Sequence, residues 1–151
     1  MSEHEVTVRW GRGAARWDYE SYVRDHEWSF GTGTTIAASA AQDFRGNASL
    51  PNPEEALVGA LSSCHMLTLL AICARRGVVV ESYEDHAVGH LEKNAAGRLA
   101  VTRVTLRPRI VFAEGHRPDA EALAALHEQS HRGCFIANSV TTVVEVKPDP
   151  T

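Results

Sequence analysis

The sequence predicts an α+β domain built mainly on antiparallel sheet. Three observations carry that expectation: β-branched, alternating segments towards both ends of the chain, two helical stretches set among them, and no regular alternation of strand and helix of the kind that marks a parallel sheet. A chain of 151 residues is long enough to bury a core without disulfides or a structural metal, and too short for two full domains. One domain over residues 1–151 is therefore expected.

The elements follow in order. Val6, Val8 and Trp10 alternate with polar neighbours, the period of a half-buried strand, before Gly11 and Gly13 punctuate the chain. Trp17 to His26 is polar and aromatic without a clear period and reads as a long connection. Glu27 to Ala38 is a second strand region, and Ser39 to Pro51, rich in Ala, Ser, Asn and Gly, is a loop closed by Pro-Asn-Pro. Asn52 is placed to cap a helix, Pro53 sacrifices no hydrogen bond at the first helical position, and Glu55 can reach back in a capping box. The helical pattern then runs to Arg76, where Gly77 suits a left-handed cap. At ~1.5 Å per residue this is roughly 37 Å, the length of a central element. Val78 to Lys93 and Arg98 to Phe112 read as a long antiparallel pair joined by Asn94-Ala95-Ala96-Gly97. Pro118 and Asp119 open a second helix carrying Ala122, Leu123 and Leu126, Gly133 stops it, and Val140 to Val146 is a last strand.

Fifteen Lys and Arg against nineteen Asp and Glu give a net charge of −4. That balance argues against a nonspecific nucleic-acid binder and against a surface that seeks anionic lipid. Ala56 to Ala74 runs nineteen residues without a formal charge, close to the length of a membrane span. Ser62, Ser63, Cys64, His65 and Thr68 interrupt it, and Glu54, Glu55, Arg75 and Arg76 flank it with the polarity of a soluble helix dipole. It reads as a helix buried in protein, with no membrane partner. Three cysteines, and no hydrophobic leader in the opening MSEHEVTVRW, point away from a secreted disulfide framework and towards a reducing cytoplasm.

Cys64 and Cys73 share the long helix nine residues apart, so they point about half a turn away from each other with a rise near ~13 Å. Disulfide Cα atoms rarely lie beyond ~7 Å, so this pair cannot close while the helix is intact, and Cys134 remains as a partner for either. Cys73 sits among Leu70, Ala71, Ile72 and Ala74, the ordinary setting of a small buried hydrophobe. Cys64 sits among Ser62, Ser63 and His65. A packed core thiol, with both serines bonded back to helix carbonyls, and a chemical role are equally open from local chemistry.

Asn52-Pro53-Glu54-Glu55-Ala56-Leu57, Ser63-Cys64 and Cys134-Phe135-Ile136-Ala137-Asn138-Ser139 resemble, in order and spacing from Pro51 to Val146, the OsmC/Ohr family of osmotically induced and organic-hydroperoxide-resistance thiol peroxidases. The resemblance implies a peroxidatic Cys64, a resolving Cys134, a carboxylate at Glu54 and an arginine from the N-terminal region. Arg24 is the choice for that arginine, because it lies in the connection before the second strand; Arg12, Arg16 and Arg45 compete. The fold implied is OsmC-like, with antiparallel sheets wrapped around long central helices in an intertwined homodimer. The activity implied is reduction of organic hydroperoxides to alcohols, in an oxidative stress response, with an external dithiol as reductant and with no bound cofactor or metal. The residue types suit that chemistry. Only a thiolate is a competent nucleophile, an unperturbed thiol of pKa ~8.5 is mostly protonated at neutral pH, and a guanidinium held by a bidentate carboxylate favours the charged form. Glu54 and Cys64 are ten residues apart, about 15 Å along a continuous helix, so either the helix breaks near Gly59 or the carboxylate serves a second subunit.

His127-Glu128-Gln129-Ser130-His131 satisfies the H-E-x-x-H zinc pattern on a helix. The ordinary use of such residues is a solvent-facing helix side near its C-terminus. His86 and His90 on one strand face, Arg103, Arg107 and Arg109 on another, and the Gly31-x-Gly33 pair read as surface and turn features. Two further functions stay open: a redox-sensing or ligand-binding dimer with little turnover, and a zinc-dependent hydrolase built on His127, Glu128 and His131.

Overall fold

A computed structural model describes residues 1–149, so Pro150 and Thr151, the end of the expected 1–151 domain, lie outside the described residues. The chain divides into two compact units, Met1–Ala56 and Leu57–Thr151.

The first unit is a three-stranded antiparallel sheet in the order β1 (Val6–Arg9), β2 (His26–Phe30), β3 (Thr35–Ala38). The strand region expected from Glu27 to Ala38 is a hairpin of two strands. Phe30 N–H donates to Thr34 O and Gly33 N–H to Phe30 O, each at 2.8 Å, and Gly33 adopts a φ of +87°, which a side chain would resist. The long connection from Trp17 is tied back where Trp10 Nε1 donates to Val23 O at 2.7 Å. The loop after β3 closes on itself through the buried Ser39, whose N–H donates to Pro51 O and whose hydroxyl accepts from Asn47 N–H. At its tip Gly46 lies so close to Ala40 that a Cβ would fall 1.6 Å from the carbonyl oxygen. Helix α1 (Pro53–Arg75) starts on a complete capping box: Glu55 N–H donates to Asn52 Oδ1 at 2.9 Å, and Asn52 N–H donates to Glu55 Oε2 at 3.1 Å.

In the second unit the remainder of α1 is followed by β4 (Val80–Asp85), β5 (Val88–Lys93), β6 (Leu99–Leu106), β7 (Pro108–Phe112), α2 (Ala120–Gly133) and β8 (Val143–Val146). The long antiparallel pair is split. β4 pairs with β7 in one two-stranded sheet, and β5, β6 and β8 form another. Asp85 marks the division, since its Oδ1 accepts the Arg107 N–H at 2.6 Å, and Pro108 then begins β7. The Asn94–Gly97 turn joins β5 to β6 as the sequence predicts, with Asn94 N–H donating to Arg98 O at 2.8 Å. β8 lies parallel to β6, the exception in a mainly antiparallel architecture.

Two clusters of buried side chains hold this unit. Leu69 and Cys73 of α1 meet Ile110 of β7 and Leu126 of α2, while Leu61 of α1 meets Val104 and Leu106 of β6. By length and hydropathy α1 is of membrane-spanning grade, yet Leu61, His65, Leu69 and Cys73, at intervals of four residues, form a stripe that packs inside the protein. The close approach of β5 to α1 needs Gly89, whose Cβ would lie 2.5 Å from Val58 Cγ2.

Candidate active site

Cys64 and Cys134 come together. Cys64, half-buried on α1, lies close enough to act on the thiol of Cys134, the residue that follows α2 and is 1 % exposed. Burial first, and then the Cys64 hydrogen bond, push the Cys134 thiol up to about 11, against a weaker downward pull from the Ala137 N–H. That N–H lies 3.4 Å from Cys134 Sγ. One turn further along α1, the Thr68 hydroxyl donates to Cys64 O at 2.8 Å. Cys73 lies on the buried stripe, and burial raises its thiol pKa despite Arg76. All three cysteines are free thiols.

Cys64 lines a groove of about 690 Å³ whose walls include Leu67, Ala71, Ile72, Phe135 and Ile136, with Arg75 and Gln129 among its polar members. Leu67 is 60 % and Phe135 80 % exposed, so the thiol opens onto apolar surface rather than onto a polar cleft.

A family model described as OsmC-like protein matches residues 46–149. The chain belongs to the OsmC-like family. A solved structure of an OsmC-like protein of unknown function from Vibrio cholerae is 43 % identical, with a TM-score of 0.95 over 99 % of this chain and 100 % of that one. The uncharacterized protein YmaD of Bacillus subtilis is 27 % identical over 76 % of this chain and 75 % of its own length. The organic hydroperoxide resistance protein OhrB of Bacillus subtilis is 14 % identical, with a TM-score of 0.66 over 98 % of each chain, a likeness of fold.

In this OsmC-like chain the structure places the remaining site candidates in the first unit. Arg24 and Glu54 line one cavity of about 520 Å³ together with Trp10, Trp17 and Tyr22. The competing arginines are used elsewhere: Arg45 pairs with Glu20, Arg16 with Asp18 at 3.7 Å, and Arg12 donates to Ala15 O. The bidentate Arg24–Glu54 pair is absent among the described residues. The Arg24 guanidinium instead donates to Tyr22 O at 2.5 Å and Tyr19 O at 2.6 Å and lies 3.7 Å from the centre of the Tyr22 ring. This leaves Arg24 Nε and Glu54 Oε2 buried without partners. Since α1 runs unbroken through Gly59, Glu54 and Cys64 of one chain stay about 15 Å apart along its axis.

Two polar residues, Ser62 of α1 and His127 of α2, depart from expectation. Ser62 does not bond back to the helix; its hydroxyl donates to Asp85 Oδ2 at 2.5 Å. His127 is not solvent-facing: it is 5 % exposed, and its Nδ1 shares a hydrogen bond with His65 Nε2 at 3.2 Å, the two rings stacked 7° from parallel. Position 127 lies four residues after Leu123 and one after Leu126, on the face that α2 buries. Burial, with the neighbouring His127 and His131, lowers His65 to about 4, and burial lowers His127 against a weaker pull from Asp85. Among the described residues no three His, Cys, Asp or Glu side chains stand together as a metal site. His65 carried no signal by itself, but its place four residues after Leu61 and four before Leu69 marks it as buried.

Proposed function

We propose that this OsmC-like protein is a thiol-dependent peroxidase that reduces organic hydroperoxides to alcohols. The observation that carries the reading is the contact between an accessible thiol at Cys64 and a sealed one at Cys134. The Cys64 thiolate attacks the terminal oxygen of the hydroperoxide; the O–O bond breaks, the alkoxide takes a proton and leaves as the alcohol, and Cys64 becomes a sulfenic acid. The Cys134 sulfur then displaces hydroxide from that sulfenic sulfur, water leaves, and a Cys64–Cys134 disulfide protects the site from over-oxidation. An external dithiol takes up the oxidising equivalents by exchange and restores both thiols. Apolar walls around Cys64 favour a substrate with a hydrocarbon body. We assign Arg24 and Glu54 to stabilising the thiolate, the carboxylate of one protomer serving the thiol of the other in a homodimer. The cycle suits a reducing cytoplasm.

The test is peroxide consumption with a dithiol reductant by wild type, Cys64→Ser and Cys134→Ser. The expected result is turnover in wild type, none in Cys64→Ser, and a single stoichiometric event followed by over-oxidation in Cys134→Ser. Unchanged turnover in Cys64→Ser would overturn the proposal, and disulfide formation without turnover in wild type would favour a redox sensor.

A further inference from the structure

The groove between α2 and β8 takes no part in the thiol chemistry. It encloses about 430 Å³, within the range of small-molecule sites. Leu123, Ala124, Val144 and Val146 give it apolar walls. Its polar side chains are His127, His131 and Glu128, and no lysine or arginine lines it. Each of the two lining imidazoles has one nitrogen, His127 Nε2 and His131 Nδ1, that is buried and has no hydrogen-bond partner. Such groups carry a cost that a partner removes.

The partner's chemistry follows from the histidine pair behind the groove. His127 Nδ1 is engaged by His65, so its Nε2 is on the ring edge turned away from α1. In one tautomer His65 donates to His127, leaving a donor at His127 Nε2 and an acceptor at His65 Nδ1. In the other His127 donates, leaving an acceptor at His127 Nε2 and a donor at His65 Nδ1, which is sealed in the core without a partner. His127 lines the groove and His65 does not, so a ligand there meets the pair through His127. A buried orphan N–H is rarer than an under-satisfied acceptor, so the favoured filled state has His127 donating from Nε2 to an acceptor on the ligand. With no lysine or arginine in its lining, the groove offers an anion no cationic side chain.

We propose that the α2–β8 groove is a second ligand site, for a small uncharged molecule with an apolar body and one acceptor oxygen, a carbonyl or hydroxyl, held by His127 Nε2–H. The site stands or falls independently of the peroxidase reading. The test is fluorine NMR of para-fluoroacetophenone and para-fluorobenzyl alcohol with the reduced full chain. Para-fluorotoluene, which lacks the oxygen, and para-fluorobenzoate, which is charged, serve as controls. The first two bind saturably and perturb the His127 ring signals, and both controls bind at least about ten-fold more weakly, the worth of roughly one hydrogen bond. Ala124→Leu, at an exposed helical position, fills the groove and abolishes binding with unchanged thermal unfolding. Leu67→Glu, in the Cys64 groove, leaves it intact. Equal binding of the toluene, binding that survives Ala124→Leu, or no saturable binding of either oxygenated probe would overturn the proposal.

Discussion

At Cys134, burial and the neighbouring Cys64 thiol keep the sulfur protonated at neutral pH, with a pKa pushed up to about 11. An ordinary thiol near ~8.5 carries roughly 300-fold more thiolate at that pH. Iodoacetamide labelling of the reduced protein, followed by peptide mass mapping, should therefore modify Cys64 well before Cys134; equal rates at pH 7.5 would contradict this arrangement. His65 makes a second prediction. Its pKa falls to about 4 in the folded chain from ~6.5 in an unfolded one. The unfolded state therefore gains a proton first as pH drops. Stability is lost across the window from ~6.5 to 4 and by up to about 3 kcal/mol, while above it His65 contributes no pH dependence. Urea unfolding at stepped pH should show a shallower acid loss in His65→Gln than in wild type, and parallel profiles would remove His65 as the cause.

At the scale of elements, α1 is positioned by its cap and by one glycine opposite it. Asn52→Ala removes half of the capping box and should cost about 1 kcal/mol in chemical unfolding. Gly89→Ala drives a methyl into Val58 and should cost about 1–3 kcal/mol; a neutral result would mean that β5 does not press on the helix. The more exposed side of α1, with Cys64 and Leu67, lines the open groove. Leu67→Glu places a charge beside Cys64 and should raise KM for an apolar hydroperoxide while leaving hydrogen peroxide consumption unchanged, a split that steady-state kinetics will read. Much of this was legible in the sequence. Asn52, Pro53 and Glu55 state the helix start through local hydrogen bonding, and Asn94 to Gly97 state the β5–β6 turn. The division of the long strands at Asp85 was not legible, because it depends on an acceptance from Arg107, twenty-two residues away. Nor was the hairpin of β2 and β3, where Gly31 and Gly33 stand in a run of otherwise strand-forming residues.

For the whole molecule, the pairing of Cys64 with Cys134 was readable only through resemblance, since seventy residues separate two thiols that the fold brings near each other. The same is true of His65 and His127, whose meeting follows from how α2 lies on α1 and from no local pattern. Arg24 and Glu54 were expected as a bidentate pair and do not form one, for the guanidinium is held by two backbone carbonyls. The proposed homodimer predicts sedimentation at twice the chain mass of 16.5 kDa, with activity falling on dilution as the dimer dissociates; a fully active monomer would contradict it. The most direct measurement of the central claim is intact-mass and peptide analysis after the reduced protein meets one equivalent of an organic hydroperoxide. The expected result is one equivalent of alcohol, the loss of two hydrogens per chain, and a single Cys64–Cys134 link that a dithiol reverses. Unconsumed hydroperoxide beside three intact thiols, or a link through Cys73, would contradict it.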